Sequence, residues 1–377
     1  MPRKKVKNDA GYYSYDDIDK LDAVYNLIIG QRSNGKTYGI LRKIVKAYID
    51  ENLPSAYIRR QKEEIVKGNI GYIFDPQLPY IEELSGGKYN GITYISHAWY
   101  LCRYAEMANG EQKKVVTDKN PFCRAYAIST ADTTKGADPG PMKYIVFDEF
   151  ITRRFYLTNE FVLYQNLLSS IIRNRDKIKI YMLGNTVNQY CPYFSDMGVH
   201  DISDMDPGTI DLYLVGRSKI KIAVEYCATA PVSKKVSKYF AFDNPQLKMI
   251  TTGAWEIALY RHAPENLDDS EIVLSFFVVF SGKTVQGDIY IYNDYPLIFF
   301  HPKTTPLQHP DRDIIYYQDT YDGNPLHQVQ LHTGATRAHR LIESLIKTQK
   351  TFYSDNSTGE FINNWLKKAT MPQLIRG

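Results

Sequence analysis

Gly30-Gln31-Arg32-Ser33-Asn34-Gly35-Lys36-Thr37 satisfies the pattern GxxxxGK[ST], and its flanks supply the context that the chemistry requires. An apolar run over 23–29 precedes it and reads as a buried strand, and an apolar-periodic run over 38–49 follows it and reads as a helix. In such a unit Gly30 and Gly35 let the backbone turn its N–H groups inward around phosphate oxygens, and the helix adds the positive end of its dipole. Lys36 is expected to reach the β- and γ-phosphates of ATP, and the Thr37 hydroxyl to ligate Mg2+.

Further short apolar runs over 56–59, 92–95, 125–128, 144–147 and 178–183 alternate with polar or helix-like stretches such as 160–173. That alternation predicts a mostly parallel α/β sheet. Tyr144-Ile145-Val146-Phe147-Asp148-Glu149 ends in two carboxylates, placed at the carboxyl end of a strand where ligands of such sheets bind. Asp148 is expected to hold the Mg2+ water shell. Glu149, across the pleat from it, is expected to orient and deprotonate an attacking water. Alone, an acidic strand end reads as a solvated one; beside the 30–37 loop it reads as catalytic.

The strand over 178–183 runs into Gly184-Asn185-Thr186, where Asn185, with Thr186 in reserve, can sense the γ-phosphate. Arg173 and Arg175 end the helix-like segment before it. In ring ATPases an arginine so placed reaches a neighbour's site, while the plain alternative is a cation at a helix C-terminus. Arg32, Arg59, Arg60, Lys135, Arg153 and Arg154 are further cationic candidates.

A length of 377 residues, 44% of them hydrophobic, suggests two domains and excludes a disordered chain. Lys+Arg 46 against Asp+Glu 42 leaves +4, too mild to announce a nucleic-acid binder, although Arg3, Lys4, Lys5 and Lys7 form a short basic arm. No run approaches the ~18–20 apolar residues of a membrane span, and no apolar leader follows the basic start, so a cytosolic protein is expected. Four scattered cysteines form no CxxC pair, which indicates neither a zinc ribbon nor a disulfide framework. Many of the 31 tyrosines, such as Tyr290, Tyr292, Tyr316 and Tyr317, sit in strand-like runs where half-buried aromatic packing is expected.

The runs over 210–215 and 220–226 read as a hairpin added at the sheet edge. A basic, weakly apolar stretch over 233–268 reads as a linker between a domain at 1–232 and a smaller one at 269–377. The latter shows antiparallel strand signals over 272–280, 288–292 and 297–300 and helical ones over 336–347 and 361–369.

Taken together, the GxxxxGKT loop carrying Arg32, the adjacent Asp148-Glu149 pair and Gly184-Asn185-Thr186 on the next strand resemble the ATPase domain of viral genome-packaging motors. The resemblance covers about the first 230 residues and is to the DNA-packaging ATPases (encapsidation proteins) of phi-29-type bacteriophages, relatives of the large terminases. It implies a P-loop ATPase domain of the additional-strand, catalytic-glutamate type. It also implies ATP-driven pumping of double-stranded DNA through a portal (connector) into a prohead, by a homomeric ring that is typically a pentamer. The place of action would be the host cell cytoplasm, transiently at the prohead portal vertex, with no membrane partner and with a packaging RNA as a possible companion. On this resemblance the metal aspartate falls on Asp148, the catalytic glutamate on Glu149, the coupling position on Asn185 or Thr186, the trans-acting arginine on Arg173 or Arg175, and a functional lysine on Lys135.

In terminases the C-terminal domain is an RNase-H-like nuclease. Here the strand over 272–280 carries no Asp or Glu after Glu271, while Asp288, Asp294 and Asp355 lie elsewhere. Since a two-metal site needs converging carboxylates, the expectation is a nuclease-dead α+β domain that binds DNA, portal or a motor RNA. Two alternatives stay open on the residues alone: a P-loop kinase or signalling NTPase acting on a small acceptor, and a terminase with an active packaging nuclease.

Overall fold

The computed structural model describes residues 4–5, 13–107, 112–134, 139–152, 156–186, 188, 190–200, 202–228, 259–262, 267, 271–317, 322–329, 331 and 336–370. The chain divides into two compact units, Met1–Trp255 and Glu256–Gly377. The stretch 233–268 expected as a linker lies largely outside the described residues.

The first unit is built on one large mixed sheet. Its strands are β1 (Lys4–Lys5), β2 (Tyr25–Gly30), β3 (Ser55–Arg59), β4 (Gly91–Ile95), β5 (Ala98–Glu106), β6 (Gln112–Thr117), β7 (Cys123–Ala127), β8 (Tyr144–Asp148), β9 (Lys179–Asn185), β10 (Thr209–Val215) and β11 (Ile220–Tyr226). They lie in the order β1-β10-β11-β2-β9-β8-β3-β7-β5-β4, with β6 beside β5. The centre, from β11 through β2, β9, β8 and β3 to β7, is parallel. These strands are buried on both faces, which is why Leu27-Ile28-Ile29 and Ile145-Val146-Phe147 read as unbroken apolar runs.

Helix α1 (Asp16–Asp19) precedes β2, and α2 (Lys36–Glu51) follows it. Ile40, Leu41 and Ile44 of α2 pack with Ile28, Tyr57 and Val146 on one face of the sheet, beside the short helices α3 (Lys67–Ile70) and α4 (Leu78–Leu84). Helix α5 (Glu160–Ile172) brings Tyr164, Leu167, Leu168 and Ile171 against Leu27, Ile29, Phe147 and Met182 on the other face, where Tyr193 of α6 (Pro192–Asp196) joins them. Helices on both faces are what a parallel sheet needs to bury its two apolar sides.

The expected mostly parallel sheet is thus parallel at its core and antiparallel at both margins. The β10–β11 hairpin stands where the sequence places it, with β1 outside it. The β4–β5–β6 arm is larger than the single run at 92–95 foretold. A register shift between Arg103 and Tyr104 interrupts the alternation of β5, and exposed Lys113 and Lys114 on β6 mask the strand signal at an edge.

The second unit has strands β12 (Glu271–Phe280), β13 (Lys283–Tyr292), β14 (Tyr295–Pro302), β15 (Ile315–Tyr316), β16 (His327–Gln328) and β17 (Thr351–Tyr353), in the order β16-β15-β12-β13-β14-β17. β12, β13 and β14 form an antiparallel meander, whereas β15 runs parallel to β12, β16 parallel to β15, and β17 parallel to β14. Ser281 (φ 48°) and Gly282 (φ 74°) make the tight β12–β13 turn, which needs left-handed backbone at both positions. Two helices follow, α7 (Arg337–Lys347) and α8 (Asn356–Thr370). Phe276, Phe300, Tyr316 and Trp365 form an edge-to-face aromatic chain in the core of this unit.

Candidate active site

Because β9 lies between β2 and β8 with all three parallel, their carboxyl ends meet at one sheet edge: Gly30 pairs with Asn185, and Asp148 with Leu183. A cleft of about 840 Å³ opens there, lined by the 32–37 loop, Asp148, Glu149 and Asn185. A Cβ on Gly30 would sit 2.8 Å from that of Cys227, so only glycine fits at the strand end. Gly35, at φ 93°, turns the chain into α2, leaving the first N–H groups of the helix at the cleft.

Lys36 folds back into this loop and is buried. Its Nζ donates to Gln31 O at 2.8 Å, Asn34 Oδ1 at 3.1 Å, Gly30 O at 3.3 Å and Asn185 Oδ1 at 3.3 Å. Burial pulls the ammonium below the usual lysine range, opposed by the Asp148 carboxylate. Asn34 Oδ1 also takes the Lys36 backbone N–H, so this one side chain fixes both ends of the lysine.

Asp148 is held by three donors. Thr37 Oγ1 donates to Oδ2 at 3.3 Å, Tyr57 OH to the same oxygen at 2.5 Å, and the Glu149 N–H to Oδ1 at 3.0 Å. Burial raises the Asp148 pKa, against the pull of the Arg59 charge and the Tyr57 hydrogen bond. Glu149 corrects the sequence expectation. It does not stand across the pleat from Asp148 but one residue past β8, in left-handed backbone (φ 60°), with its side chain 57% exposed. There its Oε2 accepts from Arg59 Nη2 at 2.8 Å, and the same Nη2 also donates to Glu64 Oε1 at 2.8 Å.

Arg60 is structural. It donates to both Glu160 oxygens at 3.0 and 2.9 Å and to the backbone oxygens of Glu149 and Phe150, pinning the turn after β8. Among the described residues no three His, Cys, Asp or Glu side chains converge as a metal cage. The Thr37 hydroxyl beside a single carboxylate suits Mg2+, which keeps most of its waters and is shared with nucleotide phosphates.

The structure thus brings together Gly30, Gln31, Arg32, Ser33, Asn34, Gly35, Lys36, Thr37, Asp148, Glu149 and Asn185. Thr186 is buried, its N–H donating to Gly30 O at 3.3 Å. Arg173 and Arg175 stand at the opposite edge, before the start of β9, about 20 Å of strand away. Arg175 Nη1 there donates to Ile171 O at 3.0 Å, as a cation at a helix C-terminus does. Lys135, Arg153 and Arg154 lie outside the described residues. Sequence reasoning missed Tyr57, an aromatic inside a strand that looked like core. It named Arg59 only as a cation at a strand end; their i, i+2 spacing is the one signal that could have joined them.

No protein-family model matches the chain. The DNA packaging protein of Bacillus phage B103 is 28% identical over 189 residues, which span 47% of this chain and 49% of that protein. The DNA packaging protein of Bacillus phage phi29 is 25% identical over 188 residues, 48% of this chain and 49% of that protein. This chain resembles the DNA packaging proteins of phi29-like phages. The chain spans about half the length of the curated relatives it matches. The likeness in fold runs further: the structure of the bacteriophage Phi-29 viral genome packaging motor assembly matches over 97% of this chain and 99% of its own, with a TM-score of 0.56 and 17% identity. The Phi-28 gp11 DNA packaging motor matches over 95% and 98%, with a TM-score of 0.55 and 16% identity. The packaging-protein likeness therefore extends, as fold, through the second unit as well.

Proposed function

We propose that this protein is an ATPase that drives double-stranded DNA through a portal into a prohead as a subunit of a homomeric ring. The observation that carries the reading is the convergence of Lys36, Thr37, Asp148, Glu149 and Asn185 on one cleft at the ends of three adjacent parallel strands. The resemblance to phage DNA packaging proteins supports DNA as the cargo.

The backbone N–H groups of the 30–35 loop and the start of α2 receive the phosphates of ATP. Lys36 leaves its carbonyl partners and meets the β- and γ-phosphates, which releases Asn185 Oδ1. A bound Mg2+, held through Thr37 and the water shell on Asp148, supplies neutralisation of phosphate charge. Glu149, exposed at the cleft mouth, orients a water for in-line attack and accepts its proton. Adjacent acids at the strand end favour water as the acceptor over a kinase substrate.

Arg173 or Arg175 of a neighbouring subunit would add trans charge in a pentameric ring. Lys135 and Thr186 are proposed in coupling to DNA, and a packaging RNA as a further partner. The second unit we read as RNase-H-like and nuclease-dead, binding DNA, portal or RNA. Its meander flanked by two parallel strands beside β12 supports the fold. Asp288 spends its oxygens on Ser275, Gln286 and His301, and Asp355 spends one on the Thr358 N–H, which supports loss of cleavage.

Purified protein, mixed with proheads, DNA and ATP, should render DNA resistant to nuclease, and Lys36→Ala should not. Equal protection by both proteins would refute the proposal.

A further inference from the structure

Strand β3 serves the site with two side chains of the same face. Arg59 reaches Glu149, and Tyr57, two residues earlier, reaches Asp148. Tyr57 is 2% exposed, and its ring stands edge-on to Trp99 at 6.0 Å, so it cannot swing away without opening the core. The bond it makes, 2.5 Å to Asp148 Oδ2, has the length of a hydroxyl bound to an anionic oxygen. On the cleft side the same oxygen faces Thr37. The carboxylate is therefore clamped between the buried Tyr57 hydroxyl on one side and the Thr37 hydroxyl on the other.

From this geometry we infer that Tyr57 is the positioning residue for Mg2+ in the nucleotide complex: it acts through Asp148, fixing the plane of the carboxylate whose water shell the metal shares with Thr37 and the phosphates. The inference rests on the nucleotide-site reading above. Three consequences follow from a group that holds a ligand's partner without touching nucleotide. Removing it weakens the metal step, leaves metal-free nucleotide binding alone, and has no effect once Asp148 can no longer serve.

Tyr57→Phe removes one oxygen and leaves the ring packed on Trp99. The test is the affinity for a fluorescent non-hydrolysable ATP analogue, measured first in EDTA and then as Mg2+ is titrated in. The half-saturating Mg2+ concentration should rise about tenfold or more in Tyr57→Phe. Affinity in EDTA should be unchanged, which also reports that the variant is folded. In an Asp148→Asn background Tyr57→Phe should change nothing further, and 4-aminophenylalanine at position 57, which restores a donor on the same ring, should bring the Mg2+ response back. A half-saturation within twofold of the wild type overturns the inference, as does an equal effect in the Asp148→Asn background. Failure of the wild-type protein to bind the analogue at all, with or without Mg2+, would instead overturn the nucleotide-site reading beneath it.

Discussion

The Lys36 ammonium donates to Asn185 Oδ1 across 3.3 Å, tying the phosphate-loop lysine to the end of β9. The bond exists because β2 and β9 are parallel neighbours in a register that sets Gly30 beside Asn185. On the proposed mechanism the bond breaks as Lys36 meets a phosphate, which would free the Asn185 amide to meet the γ-phosphate. Asn185→Ala should therefore lower turnover about 100-fold, the usual cost of one oriented polar group at a transition state, while nucleotide affinity changes less than about threefold. Steady-state hydrolysis alongside equilibrium binding separates the two. A proportionate loss of both would assign Asn185 to simple binding.

Glu149 Oε2 accepts from Arg59 Nη2 at 2.8 Å. On the proposed mechanism Arg59 competes with the attacking water for the Glu149 carboxylate, and we propose that DNA relieves this competition by opening the pair. Arg59→Ala is expected to raise ATP turnover without DNA and to shrink the stimulation that DNA produces. Phosphate release with and without duplex reads this directly. An unchanged stimulation ratio would remove Arg59 from the control of Glu149.

Glu225, fully buried on β11, has one oxygen bonded to Tyr13 OH at 2.8 Å. Burial pushes its pKa up from an ordinary 4.5 to about 8, in spite of that hydrogen bond. Between those values the folded chain holds a proton that the unfolded chain has lost, so the stability this group contributes falls as pH rises through the window. Glu225→Gln should flatten the decline. Urea midpoints at pH 5 and pH 8.5 are the measurement, and parallel pH dependence in the two proteins would count against the buried neutral acid.

The Arg60–Glu160 pair is almost completely buried, with Tyr193 OH adding a bond to Glu160 at 2.8 Å. Arg60→Ala leaves the buried Glu160 carboxylate without its counter-charge, with the Tyr193 hydroxyl and the Leu157 N–H still donating to it, and frees the turn that presents Glu149. A loss of about 3–5 kcal/mol is expected from breaking one half of such a pair. Denaturant unfolding would measure it; a change under about 1 kcal/mol would mean that water replaces the arginine.

Much of this was legible in the chain itself. The 30–37 loop, the acids ending β8 and the Gly-Asn end of β9 are local patterns, and each maps to one element. Their convergence follows once the strands are parallel and adjacent. What the sequence could not show were relations made by the sheet order. Tyr57 looks like any core aromatic until β3 is placed beside β8, and Arg59 and Arg60 look alike until one is seen facing Glu149 and the other Glu160. The position of Glu149 was misread because the chain turns left-handed just after Asp148, ending the pleat one residue early. In the second unit β15 and β16, two residues each, are too short to give any period.

The most direct test of the central claim is phosphate release from ATP by the purified protein, measured as duplex DNA is added, for the wild type and for Glu149→Gln. Turnover that rises with DNA in the wild type, with Glu149→Gln binding ATP but releasing no phosphate at any DNA concentration, is the predicted result. Turnover indifferent to DNA, or a Glu149→Gln protein as active as the wild type, would contradict it.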